Sequence, residues 1–117
     1  MDINIIMKPD CIFCKIIEGK IPSEKVLENK RYIVIKDANP KVPGHLLVIP
    51  KKHYKSFLDF PKKHYEDFLD IVKKTTGTFS GDFNIVINNG KTAGQEIEHL
   101  HMHILPRTLG DDFKLNA

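Results

Sequence analysis

His99-Leu100-His101-Met102-His103-Ile104-Leu105 alternates imidazole with apolar side chains, and Pro106 closes the run. Strict alternation is the pattern of a β-strand, in which side chains at i, i+2 and i+4 share one face. The spacing predicts a strand over residues 99–105. His99, His101 and His103 then project together, with roughly 6.5 Å between neighbouring Cα atoms. Leu100, Met102 and Ile104 point the other way, into a core. A single histidine on a sheet is usually a surface residue or a satisfied core residue. Three on one parity are a poor device for stability, because every ring needs hydrogen-bond partners. Two chemistries use such a row. One is metal binding by two or three imidazoles. The other is nucleophilic attack on phosphorus by one imidazole while its neighbours bind the phosphate oxygens. A neutral imidazole suits that attack near neutral pH, because its ordinary pKa is about 6.5.

Working outward, the other elements fall on either side of this strand. Ile12, Phe13, Ile16 and Ile17 repeat at helical spacing, and Gly19 follows as a stop, so a short helix is expected over residues 11–18. Strands are expected over residues 24–28, 31–36, 45–49 and 83–88, each bounded by Asn, Gly or Pro turns. One long helix is expected over residues 61–76, with Asp59 and Pro61 at its start and Gly77 at its end. Its stripe runs Tyr65, Phe68, Leu69 and Val72, with Phe68 and Leu69 toward the core and Tyr65 and Ile71 on flanking faces. The result is an α+β pattern: an antiparallel sheet of about five strands with one short and one long helix. Lys51-Lys52-His53-Tyr54 recurs as Lys62-Lys63-His64-Tyr65, a period too short for a solenoid.

The 117 residues suit a single domain, with an arm at 1–9 and a tail at 108–117. Hydrophobic content of 41% and charged content of 28% exclude a disordered or fibrous chain. The longest apolar run, residues 46–49, is far below a membrane span. The first ten residues lack the features of a secretory leader, so a cytoplasmic protein is expected. A net charge of +3 is too weak to argue for nucleic acid. Cys11-x-x-Cys14 in such a setting reads as metal or redox chemistry rather than a disulfide framework. A tetrahedral zinc could take both thiolates. The redox reading expects a βαβ context, which the pattern lacks.

The stretch Ala93-Gly94-Gln95-Glu96-Ile97-Glu98-His99-Leu100-His101-Met102-His103-Ile104-Leu105-Pro106-Arg107 resembles the signature of the histidine triad (HIT) family. Residues 37–51 and 12–23 are similar to two other landmarks of that family, in the same order. The resemblance implies a HIT-like fold and a nucleotide hydrolase or transferase, similar to the zinc-containing microbial proteins of the phosphoramidase branch. It implies that His101 attacks the α-phosphorus of a nucleoside 5′-phosphate derivative, an AMP or GMP derivative, through a nucleotidyl-histidine intermediate. The carbonyl of His99 would fix the other ring nitrogen of His101. His103 and Gln95 would hold phosphate oxygens, and His45 would sit against the triad. Asp37 would take the ribose hydroxyls, Asn88 would open a glycine loop, and Ile12, Phe13, Ile16, Ile35 and Ala38 would line a slot for the base.

The same resemblance implies a structural zinc on Cys11, Cys14, His53 and His99. His64 stands as an alternative to His53, because the tetrapeptide occurs twice. It also implies a homodimer, whose sheets join and whose long helices meet. Phosphoramidates, dinucleoside polyphosphates, and nucleotide binding without turnover remain open as functions. Turnover assays on the first two separate all three.

Overall fold

A computed structural model describes residues 8–115. Most of the arm expected at 1–9 and the last two residues of the tail lie outside the described residues. In chain order the elements are α1 (Ile12–Ile17), β1 (Lys25–Glu28), β2 (Tyr32–Lys36), β3 (Leu46–Pro50), α2 (Tyr65–Thr76), β4 (Phe83–Val86) and β5 (Met102–Pro106). Short 3-10 turns occupy Phe57–Asp59, Lys62–His64 and Lys91–Ala93. The strands form one antiparallel sheet in the order β1-β2-β3-β5-β4. This is the α+β architecture the sequence predicts.

β2 and β3 are buried along nearly their whole length. Their continuous apolar character follows from a sheet covered on both faces. On one face α2 packs over Tyr32, Val34, Val48, Met102 and Ile104. On the other, α1 lays Phe13 and Ile16 against Ile33, Ile35, Leu47 and Ile49. Cys11 caps α1, its Sγ accepting the Cys14 backbone N–H at 3.4 Å. Gly19, at φ +82°, ends it as expected.

Three expectations need correction. The long helix starts at Tyr65, not at residue 61, because Pro61 is extended (ψ 143°) and Lys62–His64 make a 3-10 turn first. Its buried face is Phe68, Ile71, Val72 and Thr75, spaced i, i+3, i+4, i+7. Ile71 therefore faces inward and Leu69, 54% exposed, faces out beside Tyr65, 42% exposed.

The third correction concerns the histidine run. Only Met102–Pro106 is strand; His99 and His101 precede it. Continuing the β3 register would set Leu100 opposite Pro50, which has no N–H to give to a ladder. The chain turns instead. The His99 N–H goes to the Ile97 carbonyl at 2.8 Å, and the Leu100 N–H goes to the Tyr54 carbonyl at 2.7 Å. The alternation nevertheless keeps its two sides. Leu100, Met102 and Ile104 join the core under α2, while Phe13 of the α1 side meets the rings of both His99 and His101 edge-on.

Candidate active site

Cross-strand pairing lays Ile35, Leu47 and His103 in one row on the α1 face. His101 sits two residues earlier, 5.0 Å from the His103 ring and 5.0 Å from the Phe13 ring. His45, at the start of β3, closes the group. His45, His99 and His101 are buried and His103 is half-buried.

Hydrogen bonds fix which nitrogen of each ring carries the proton. His101 Nδ1 lies 2.8 Å from the His99 carbonyl oxygen, so Nδ1–H donates and Nε2 keeps a free lone pair. The backbone N–H of Lys41 donates to His45 Nδ1 at 3.1 Å, leaving the His45 proton on Nε2. That Nε2 is 2.9 Å from His103 Nδ1, and donates to it. The His103 proton must then sit on Nε2. Two adjacent imidazoles thus present opposite characters: a lone pair on His101 and an N–H donor on His103. That pairing can attack a phosphorus and bind one of its oxygens.

Burial keeps the group neutral. It lowers the pKa of His101, against a partial pull upward from the His99 carbonyl and from the Asp37 and Glu96 carboxylates. It pushes His103 down to about 4, reinforced by the neighbouring His101 and His45. His45 is lowered for the same first reason.

The remaining expected residues divide. Asp37 Oδ2 is 3.4 Å from His45 Nε2, and its Oδ1 accepts the Asn39 N–H at 2.9 Å. Phe13, Ile16 and Ile35 form a buried apolar wall, with Ile12 and Ala38 exposed at its rim. Asn88 packs against Gly94, whose left-handed φ of +95° favours glycine; a Cβ there would lie 3.6 Å from Asn88 Nδ2, an ordinary contact. Gln95 is held by backbone partners. Its Oε1 accepts the Gly90 N–H at 2.9 Å, and its Nε2 donates to the Lys55 carbonyl at 2.7 Å and the Ile97 carbonyl at 3.1 Å. These three bonds tie the loop at Gly90 and Ile97 to the Lys55 backbone. Sequence reading missed the carbonyl of Pro50 and the amide of Lys41, since backbone partners leave no mark in side-chain identity.

The cysteines gather a second cluster. His99 Nε2 donates to the Pro50 carbonyl at 2.7 Å, which turns Nδ1 toward Cys11 Sγ (3.4 Å) and Cys14 Sγ (3.6 Å). His53 Nδ1 lies 3.3 Å from Cys14 Sγ. The four ligand atoms all fall within 4.8 Å of one another. A tetrahedral zinc with ordinary Zn–S and Zn–N bonds separates sulfur from nitrogen by about 3.6 Å, so the donor set fits that ion. The carbonyl behind His99 is the outer support such ligands carry. His64 is elsewhere: its Nδ1 accepts from Arg31 at 2.9 Å.

A model of the HIT domain matches residues 18–109. The chain belongs to the HIT family. An uncharacterized HIT-like protein of Methanocaldococcus jannaschii is 48% identical over 106 residues, 86% of this chain and 81% of that one. An adenosine 5′-monophosphoramidase of Saccharomyces cerevisiae is 41% identical over 98 residues, 83% of this chain and 62% of that one. An adenylylsulfatase of Arabidopsis thaliana is 40% identical over 108 residues, 86% of this chain and 54% of that one. Among solved structures, a histidine triad protein from Clostridium difficile matches with TM-score 0.76 and 40% identity, covering 93% of this chain and all of that one. A zinc-bound histidine triad family protein from Mycobacterium smegmatis matches with TM-score 0.78 and 32% identity, covering 90% and 80%. As a HIT-family protein the chain is a nucleotide hydrolase or transferase.

Proposed function

We propose that residues 1–117 form one catalytic domain acting on purine nucleoside phosphoramidates at the α-phosphorus. The observation that carries this is the Nδ1–H bond from His101 to the His99 carbonyl, which leaves Nε2 free beside the His103 donor. His101 Nε2 attacks phosphorus and forms a P–N bond as the substrate's own P–N bond breaks. The amine leaves with a proton from solvent. Water then attacks the same phosphorus, the nucleoside monophosphate departs, and His101 returns to its starting tautomer. The His103 Nε2–H steadies a phosphate oxygen as charge grows on it. The Phe13, Ile16 and Ile35 wall takes the base, Asp37 the ribose hydroxyls, and the Asn88 loop borders the phosphate. Relatives named adenosine 5′-monophosphoramidase and adenylylsulfatase support an adenylyl substrate.

The test is turnover of adenosine 5′-monophosphoramidate against a dinucleoside polyphosphate, with His101→Ala alongside. Faster turnover of the polyphosphate refutes the substrate assignment. His101→Ala should bind AMP like wild type yet lose about a thousandfold or more in rate; retention of a tenth of the rate refutes the nucleophile.

Cys11, Cys14, His53 and His99 would hold one zinc. Four protein ligands leave no open position, so its role would be structural. Burial pushes the Cys14 thiol up to about 11, and a shared cation would reverse that. Two reduced, buried thiols fit a cytoplasmic location. Among the described residues, no helix is long and apolar enough to cross a membrane.

A homodimer is the assembly we favour. Leu69 and Tyr65 on the outer side of α2 are exposed, as are Phe83 and Ile85 on the edge strand β4. Ile85 pairs with Ile104, so it faces the α2 side and continues the same apolar surface.

A further inference from the structure

The repeated Lys-Lys-His-Tyr tetrapeptide has no part in the histidine chemistry beyond His53, yet both copies come together in space. Lys51, Lys52 and Tyr54 of the first copy and Lys63 and His64 of the second line one cleft of about 710 Å³. Lys30 and Arg31, from the turn before β2, close its third side. Its floor includes Tyr32 and Phe60, members of the core under α2, so it opens on the sheet face opposite to His101.

The charges of this cleft are unevenly compensated. Arg31 is tied to Asp67 at 2.7 Å, and Lys51 to Glu28 at 2.7 Å. Asp67 is further engaged by the Tyr32 hydroxyl at 2.6 Å. Lys30, Lys52 and Lys63 have no carboxylate within ion-pair distance among the described residues. Asp59 is the one carboxylate among the lining residues. Like charges converging on one concavity cost free energy unless a counter-charge enters. A chain of phosphates carries several charges in one ligand and so offers a partner to more than one ammonium group. Lys52 Nζ lies 5.6 Å from the Tyr54 ring centroid, and Tyr54 packs perpendicular to Phe60. The uncompensated charge of the cleft is what a phosphate chain would meet.

We propose that this cleft is an accessory binding site for an oligophosphate, separate from the triad. The site uses Lys30, Lys52 and Lys63 as point-charge donors and Arg31 as the fixed donor behind them.

The experiment is an amide NMR titration of the full zinc-containing chain with sodium tripolyphosphate, ATP and sulfate at matched ionic strength. Tripolyphosphate should shift the amides of Arg31, Lys52 and Lys63. The double variant Lys30→Glu/Lys63→Glu, both exposed positions, should weaken that binding by about tenfold or more, the scale expected for reversing two charges beside a shared ligand. Its phosphoramidate turnover and its response at Gly90 and Gly94 should match wild type. ATP binding as tightly as tripolyphosphate supports a nucleotide source, and much weaker ATP binding supports the inorganic chain. Shifts confined to residues 88–101, an unchanged affinity in the double variant, or sulfate binding as tightly as tripolyphosphate would each overturn the proposal.

Discussion

Gln95→Ala separates a loop clip from a phosphate ligand. The native amide makes three hydrogen bonds, to Gly90 N–H, Lys55 C=O and Ile97 C=O, and the residue is 6% exposed. At about 1 kcal/mol net for each bond, truncation removes about 3 kcal/mol. For a chain of this length about 4 °C of melting temperature goes with each kcal/mol, so the midpoint should fall by about 12 °C. A direct phosphate donor would behave differently: its loss leaves the melt alone and lowers kcat by about a hundredfold or more. Thermal melts by circular dichroism, paired with kcat on adenosine 5′-monophosphoramidate well below the midpoint, read both. A melt within about 2 °C of wild type together with a hundredfold loss of kcat would refute the clip. Gln95→Glu sharpens the test, because a carboxylate turned toward the Lys55 and Ile97 carbonyls repels both. It should be no more stable than the alanine variant at neutral pH.

Burial lowers both His101 and His103 from 6.5, so both stay neutral above that pH and kcat/KM should fall only below it. An acid limb with an apparent pKa of about 7 or higher would contradict that order. For the same reason His103, neutral in the fold down to about 4, binds fewer protons folded than unfolded. Its contribution to stability is present above 6.5 and is lost as pH falls from there toward about 4, a window in which melts should show decreasing midpoints. Metal analysis of protein purified without chelator should give about one zinc per chain, lost in His53→Ala and kept in His64→Ala. Absence of zinc from wild type would refute the site. Leu69→Lys with Ile85→Lys should convert a dimer into monomer by light scattering; wild type already at the mass of one chain would refute the dimer.

How much of this was legible in the sequence depends on where the determinant lies. Alternation placed the three histidines on the correct side even though the first two are not in a strand: Leu100 and Met102 join the core under α2, while His99 and His101 meet Phe13 on the other side. The turn at Ile97–His99 follows from Pro50, a residue on another strand whose register only the fold supplies. The inward face of α2 is not legible in the sequence, because Phe68, Leu69, Ile71 and Val72 are all apolar and one stripe cannot be chosen without knowing what it meets. His53 and His64 sit in identical tetrapeptides; only the path of the chain after β3 brings the first to the cysteines. The Gln95 partners at Lys55 and Ile97 are carbonyls, which every residue has, so side-chain identity does not mark them.

The strand order has a consequence for how the molecule is made. β5 follows every other element in the chain, yet it is seated between β3 and β4. Until it arrives, β4 has no neighbour in the sheet, and β3 offers an open edge of apolar residues to any other strand it meets. During synthesis that edge waits for the C-terminal part of the chain, so the nascent protein passes through a period when mispairing with a second ribosome's product competes with completion. The same insertion seats His103 and brings up His101 beside it. A chain that stalls before β5 lacks His103 and the strand that holds His101 beside it.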